Sequence, residues 1–379
     1  SIVKNGKTEL TQILDLHDSL LLHLYPRTDT MEADANLGQE LRQDEVQLMD
    51  DAAMGQPKRS QIQRWEKELP QPVKFKLEEP NVLLLDQCIW RFDNGLWEGE
   101  EEILRIDNEI RDRLAMPKRM EAWPQPWILT EEKVPEHTVV LHYSIESEKE
   151  MNQVFLALEQ VEDAMIIWNG VPVDKKVCGW YVDKSIKKIV LGKLAVGKND
   201  LVITRPFGEK TNLEWSYLLG DFGVRVAGEK ATITELPITI NFGDFTAQGL
   251  PFYAGNIKYV VEFDAEEGNY GIQISKFRAP LLKLSIDGGD WQRIAYAPYE
   301  VNLGHLEQGL HRLELIAYGN RVNAFGTVHN CDETTEWYGP NEWRTEGERF
   351  AYEYQIKKMG VLKTPIIFQT FSINQKERL

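Results

Sequence analysis

Aromatic residues lie beside polar residues in three stretches of this sequence. Such neighbours suit carbohydrate binding, because aromatic rings stack on the C–H faces of sugars while Asp and Arg side chains hydrogen-bond to hydroxyl groups. Core packing, or packing against a neighbouring domain, is the alternative explanation for each stretch. The candidate carbohydrate-binding residues are Trp180, Tyr181 and Asp183 in the first stretch, Trp291 in the second, and Trp337, Tyr338, Trp343 and Arg344 in the third.

Catalytic and metal-binding patterns are weaker. Glu159, Glu162 and Asp163 lie together, but sixty acidic residues make such clusters common, so we assign no catalytic residue. The histidines show no metal-ligand spacing, and we predict no metal site and no cofactor apart from an optional structural calcium ion. Loop oxygens for that calcium ion could come from Asp287, Asp290, Asp332 and Glu333.

Charge and hydropathy argue against two classes of partner. The 379 residues carry a formal charge of −17, which repels a phosphate backbone, so we expect no nucleic-acid partner. No apolar run approaches the roughly eighteen residues that a membrane span needs, so we expect no membrane partner. Cys88, Cys178 and Cys331 are widely separated and odd in number, which argues against a disulfide framework and a zinc site.

Short runs of alternating apolar and polar residues recur along the chain and predict β-strands. Residues Val73 to Leu77 alternate in this way, and turn residues such as Asn169 and Gly170 follow later runs. Residues Glu101 to Leu114 differ, because their apolar residues recur at helical spacing. The sequence therefore predicts a mainly β protein of antiparallel sandwiches with one helix near residues 101–114.

One spacing pattern occurs twice, 112 residues apart. Its members are Leu191, Gly192, Leu194, Gly197, Leu201 and Ile203 in the first copy, and Leu303, Gly304, Leu306, Gly309, Leu313 and Leu315 in the second. In each copy the glycines permit a chain reversal, and the later residues alternate as in a strand that enters a core. The repeat predicts two related β domains.

An apolar strand that ends in Trp168, Asn169 and Gly170 is followed by a Gly-x-Asn sequence at Gly197 to Asn199. This arrangement resembles the jelly-roll sugar-binding domain of family-two-type glycoside hydrolases. The stretch from Gly249 to Phe263 is similar to the start of a galactose-binding-like sandwich near the C-terminus of large bacterial rhamnosidase-like hydrolases. The closing residues, from Asn323 to Gly360, also resemble those enzymes.

The resemblance implies tandem galactose-binding-like jelly rolls without the catalytic barrel that these enzymes place upstream. We expect strands from the end of a preceding domain and a polar linker over 1–69, a first sandwich over 70–235, and a second over 236–379. The implied role is a non-catalytic accessory or carbohydrate-binding region of a glycoside hydrolase, inactive alone. Its implied partners are carbohydrate and the catalytic domain of the same polypeptide. A free-standing carbohydrate-binding or structural module, and a glycosidase with an unrecognised site, are the open alternatives.

Overall fold

The structure is a computed structural model that describes residues 2–4, 7–9, 62–118, 134–211, 213–332, 334 and 347–372. Strands predominate in these segments, and a single α-helix accompanies them, so the mainly β prediction is confirmed. No helix within the described segments is long and apolar enough to cross a membrane. The three cysteines are unpaired.

The first sandwich contains an eight-stranded and a five-stranded sheet, whose inward apolar residues form one core. The larger sheet contains β6 (Gln87–Phe92), β7 (Glu98–Glu102), β8 (His137–Ser147), β10 (Met165–Trp168), β11 (Val171–Pro172), β14 (Gly197–Phe207), β16 (Gly223–Ala227) and β17 (Lys230–Thr234). Its main path is β11-β10-β14-β8-β17-β16, with β6 beside β8 and β7 beside β6. The smaller sheet runs through β12 (Val177–Tyr181), β13 (Asp183–Leu194), β9 (Met151–Leu158), β15 (Ser216–Gly220) and β5 (Asn81–Leu85).

The second sandwich contains a six-stranded and a four-stranded sheet around a separate core. The larger sheet runs through β18 (Thr239–Ile240), β4 (Val73–Leu77), β19 (Ile257–Ala265), β25 (Gly309–Ala317), β22 (Leu282–Ile286) and β23 (Gln292–Ile294). The smaller sheet runs through β24 (Glu300–Leu306), β20 (Gly268–Gln273), β27 (Ile366–Ser372) and β3 (Ile62–Glu68). Two further two-stranded pairs are β21 (Phe277–Arg278) with β26 (Gly360–Val361), which are distant in the chain, and the hairpin of β1 (Ile2–Lys4) with β2 (Lys7–Glu9).

The repeated sequence pattern occupies equivalent strands in the two sandwiches. In each copy the first strand, β13 or β24, lies in the smaller sheet, and the next, β14 or β25, lies in the larger sheet. The repeated apolar residues are all buried, and Gly192 and Gly304 both have positive φ values of 95° and 79°. β10 pairs with β14 as β22 pairs with β25, and each hairpin strand ends in a left-handed turn at Asn169 or Asp287. The two sandwiches therefore share one strand arrangement.

Two strands that precede the first sandwich belong to the second. β4 pairs with β19, and β3 pairs with β27, so residues 62–77 complete both sheets of the second sandwich. We expected a linker up to residue 69 and the start of the first sandwich at residue 70, and for these two strands both assignments are wrong. Alternation within a strand reveals which residues face the core, but it does not reveal which distant strand is the partner.

The predicted helix is present as α1 (Ile103–Arg113), which follows β7 and precedes β8 in the chain. Glu102 caps its N-terminus, where the carboxylate accepts hydrogen bonds from the N–H groups of Leu104 and Arg105 at 3.0 and 3.1 Å. The apolar face of α1 is buried in the first core. The helical spacing of apolar residues thus corresponds to a buried helix face.

The segment after β25 leaves the second sandwich and packs on the first. Phe325 stacks on Tyr217 of β15, with ring centroids 5.0 Å apart, and Val328 is a member of the first core. Asn81 of β5 donates a hydrogen bond to the carbonyl oxygen of Gly249 at 3.1 Å. Buried apolar and polar contacts therefore join the two sandwiches.

Candidate functional site

Trp291 lies on the outer face of the six-stranded sheet. It precedes β23, it is 40% exposed, and its ring lies 5.4 Å from Nζ of Lys258 on β19. β22 and β25 lie between β23 and β19 in the sheet. The indole therefore extends from the edge of the sheet over these two strands to reach Lys258. The ring is presented on a strand surface and is not enclosed in the second core.

Further cationic side chains lie on the same face of the sheet as this indole. Strand alternation directs Lys76, Lys258, Lys283 and Arg293 outward while their neighbours face the core. The register aligns them across five strands: Lys76 pairs with Lys258, Lys258 with Ile316, Ile316 with Lys283, and Lys283 with Arg293. We call these four basic residues the cationic row. The row and Trp291 together form the candidate site.

Three carboxylates, Glu262, Asp264 and Glu314, lie on the same face. Glu314 accepts hydrogen bonds from Arg312 at 2.9 Å and from Lys258 at 3.2 Å. These two partners, Arg312 first, lower the pKa of Glu314, so it remains ionised on the surface. Glu262 is exposed and pairs in register with Arg312. The face is therefore mixed in charge beside the row, and cationic along it.

The first predicted aromatic cluster is not brought together. Trp180 on β12 is 54% exposed, whereas Tyr181 is 5% exposed and belongs to the first core, with its ring 5.0 Å from that of Tyr217. Successive strand residues face opposite sides, so a pair on one strand cannot present both rings to one ligand. The structure corrects the expectation for Tyr181. Asp183 is exposed and accepts hydrogen bonds from the backbone and hydroxyl of Ser185, which lower its pKa.

The remaining predicted residues divide into two groups. Trp337, Tyr338, Trp343 and Arg344 lie outside the described residues, so their role stays a prediction. Among the calcium candidates, Asp287 has both oxygens engaged, by the N–H of Arg312 at 2.8 Å and by Nδ1 of His311 at 2.6 Å. Glu333 also lies outside the described residues. Asp290 is exposed, and Asp332 accepts a hydrogen bond from the N–H of Thr334 in its own turn.

A buried polar cluster joins the first sandwich to the segment after β25. His329 Nε2 lies 2.8 Å from Asp86 Oδ2, its Nδ1 lies 2.9 Å from the carbonyl oxygen of Ala351, and the Tyr354 hydroxyl donates to Asp86 Oδ1 at 2.6 Å. Burial disfavours the charged imidazole, but the contact with Asp86 outweighs it and raises the pKa of His329. Both Asp86 and His329 are almost fully buried, so this cluster holds the fold together and is closed to a substrate.

A cleft of about 940 Å³ lies between the sandwiches, and carboxylates line part of it. Glu148 is paired with Arg225 at 2.6 Å, and this contact lowers its pKa, while Asp244 accepts a hydrogen bond from the N–H of Met359 at 3.1 Å. A carboxyl group that acts as a general acid needs a raised pKa, which is the opposite of the lowered pKa of Glu148. Burial does raise the pKa of Glu102 to about 7, but that side chain caps α1 and does not line the cleft.

Comparisons with known proteins give structural neighbours only. No protein-family model matches the sequence, and no curated protein matches it. A rhamnosidase from Novosphingobium sp. PP1Y is similar at 13% identity and a TM-score of 0.25, covering 63% of this chain and 23% of that chain. A GH2 β-galacturonidase from Eisenbergiella tayi, bound to galacturonate, is similar at 10% identity and a TM-score of 0.20, covering 71% and 40%.

An α-L-rhamnosidase from Streptomyces avermitilis, complexed with L-rhamnose, is similar at 11% identity and a TM-score of 0.23. That match covers 80% of this chain and 36% of the enzyme. These three neighbours are glycoside hydrolase chains. This chain spans less than half of the length of each of them.

Trp291 was a candidate from the sequence, whereas the cationic row was not. The signal was present, because Lys76, Lys258 and Lys283 each stand between two apolar residues that face the core. That pattern marks each residue as outward. Their alignment into one row depends on strand register, which connects segments far apart in the sequence.

Proposed function

We propose that this chain is a non-catalytic carbohydrate-binding region of a glycoside hydrolase, and that it binds glycan on the outer face of the six-stranded sheet. The observation that carries the proposal is Trp291, an exposed indole laid across a strand surface among hydrogen-bond donors. A sugar ring stacks on an indole through its C–H face, and polar groups beside the ring bind its hydroxyls. Lys258 fixes the orientation of the ring from within the site.

The non-catalytic part of the proposal rests on the carboxyl groups. Glycoside cleavage uses a protonated acid and a second carboxylate in one accessible site. Among the residues that the structure describes, Glu102 is the carboxyl group with a raised pKa, and it is buried as a helix cap. The accessible Glu148 has the lowered pKa of an ion-paired group. Hydrolysis would then come from the catalytic domain of the full polypeptide.

Replacement of Trp291 by Ala tests the proposal. Loss of a stacking platform should weaken glycan binding by about ten-fold or more, while loss of an exposed aromatic should cost less than about 1 kcal/mol of unfolding free energy. Affinity electrophoresis in gels that contain neutral or acidic polysaccharides measures the first quantity, and thermal unfolding measures the second. Trp97→Ala is the matched control, because Trp97 is an exposed indole on the other sandwich and its ring also lies beside a cation, Arg91 at 5.1 Å.

Two results would contradict the proposal. Equal glycan binding by wild type and Trp291→Ala would show that the indole is not part of the binding site. Failure to bind any glycan would contradict the proposed function. Turnover of aryl glycosides by this chain, abolished by replacement of one carboxylate, would support the alternative of a glycosidase with an unrecognised site. A free-standing module would use the same binding surface.

A further inference from the structure

We infer that the glycan bound on this face is anionic, a polysaccharide whose sugars carry carboxylates. The inference rests on the proposed function and names the ligand class of the same site. Its basis is the cationic row, which places four basic side chains in register across the sheet beside an exposed indole. At about 4.8 Å per strand, the row from Lys76 to Arg293 spans about 19 Å, the length of several sugar rings.

Most of the row has charge available for a ligand. Lys258 shares Glu314 with Arg312, as described above. Lys76, Lys283 and Arg293 form no ion pair with any residue that the structure describes. Among the described residues, these three cations therefore have no counter-ion on an exposed surface. Such a surface attracts anions, and it does so in a chain whose net charge is −17.

The first sandwich provides an internal comparison. Its strands β6, β8, β14 and β10 correspond to β4, β19, β25 and β22 through the shared pairing of the repeat. The same register row in the first sandwich consists of Arg91, Val140, Thr204 and Met165. This row of the first sandwich contains one cation, Arg91. The corresponding four positions of the cationic row contain three lysines. The strand arrangement itself does not require lysines, so their accumulation points to a ligand.

A polysaccharide fits this face better than nucleic acid does. Duplex DNA carries a charge about every 1.7 Å, and the overall charge of −17 opposes so dense a polyanion. A polyuronate carries a carboxylate on each sugar and keeps a C–H face between charges, which can stack on Trp291. The two kinds of side chain then have separate roles. The indole stacks on the sugar ring, and the basic side chains bind the sugar carboxylates.

A matched pair of ligands tests the inference. Polygalacturonate and its fully methyl-esterified form share one backbone and differ in the carboxylate charge. We expect wild type to bind the free acid at least ten-fold more tightly than the ester at low salt. At about 0.5 M NaCl the advantage should shrink to a few-fold, because the ions screen exposed charges over a few ångströms. Titration of labelled protein with each polymer measures these affinities.

Matched variants identify the row as the cause. The double variant Lys76→Gln/Lys283→Gln should weaken binding of the free acid by about ten-fold and leave binding of the ester unchanged. Lys176→Gln/Lys184→Gln removes the same charge from exposed positions of the first sandwich and should leave both affinities unchanged. Thermal unfolding checks that each double variant folds.

The outcomes separate the two proposals. Equal affinity for acid and ester, both dependent on Trp291, would overturn the anionic ligand and leave the proposed function standing. Failure to bind any polysaccharide would overturn the proposed function together with this inference. Salt-sensitive binding of duplex DNA or of an acidic protein that matches the polyuronate affinity and survives Trp291→Ala would overturn the glycan in favour of a general polyanion surface.

Discussion

Asn199 is a buried amide that ties two turns of the first sandwich together. Its Oδ1 accepts hydrogen bonds from the N–H of Ala195 and from the side-chain amide of Asn169, each at 2.9 Å. Asp287 and His311 occupy the equivalent positions in the second sandwich, where their side chains meet at 2.6 Å. The Asn-Gly and Gly-x-Asn sequences behind the family resemblance are thus explained by turn geometry, and they do not indicate a ligand.

Protonation of Glu102 and His329 should make the stability of the fold depend on pH. Burial raises the pKa of Glu102 from 4.5 to about 7, and Asp86 raises the pKa of His329 above 6.5 against the effect of burial. Both groups therefore bind protons more tightly in the folded chain than in the unfolded chain. Stability from each is present at low pH and lost as the pH rises through the folded pKa. The free energy of unfolding should fall from about pH 4.5 to about pH 7 through Glu102, and it should fall further above about pH 6.5 through His329.

Urea unfolding at a series of pH values measures this slope. Glu102→Gln should remove the decrease in unfolding free energy that occurs up to about pH 7. His329→Gln should remove the decrease that occurs above about pH 6.5. Each variant retains a neutral side chain of similar size. A wild-type stability that stays constant, or rises, from pH 5 to pH 8 would contradict the assignment.

At the scale of elements, helix α1 is anchored by one buried ion pair. Arg111 contacts Asp107 at 3.0 Å with both side chains fully buried, and it donates to the carbonyl oxygen of Thr211 at 2.9 Å. Removal of one member of such a pair leaves a buried charge without its partner and costs about 3 to 5 kcal/mol. We therefore expect Arg111→Met to lower the free energy of unfolding by about that amount in denaturant titrations.

Arg113 on the same helix is the control for this prediction. It pairs with Glu109 and Glu98 on the exposed side of α1, where an ion pair contributes less than about 1 kcal/mol. Arg113→Met should therefore change stability little. If Arg111→Met has an effect as small as that of Arg113→Met, the buried pair does not anchor the helix.

The elements differ in how well the sequence predicts them. Helix α1 was predictable because its apolar spacing and its buried face are local properties of eleven residues. The repeat was predictable because strand irregularities with positive φ favour glycine, as at Gly192 in β13 and Gly304 in β24. The partners of β3 and β4 were not predictable, since pairing joins strands across the whole first sandwich. The candidate site was half predictable for the same reason: Trp291 is one residue, whereas the cationic row exists only after five strands are aligned.

At the scale of the whole molecule, the two sandwiches have separate cores that share residues at their boundary. Phe252 follows β18, an edge strand of the second sandwich's larger sheet, yet it is fully buried in the first core. Its ring meets that of Tyr354 edge-on at 5.1 Å, and Tyr354 in turn binds Asp86 of the buried polar cluster. These contacts couple the stability of each sandwich to that of the other.

We therefore expect the chain to unfold in one calorimetric transition, which Phe252→Ala should divide into two. The substitution removes about 3 to 5 kcal/mol of packing at the boundary, and each sandwich then melts according to its own core. Ile272→Ala is the control, because Ile272 is fully buried within the second core alone and its loss should lower the melting temperature without dividing the transition. Two transitions already present in the wild type would mean that the sandwiches are independent. A single, lowered transition in both variants would place the coupling in the other boundary contacts, with Arg321, which pairs with Glu79 at 2.8 Å, as the next residue to replace.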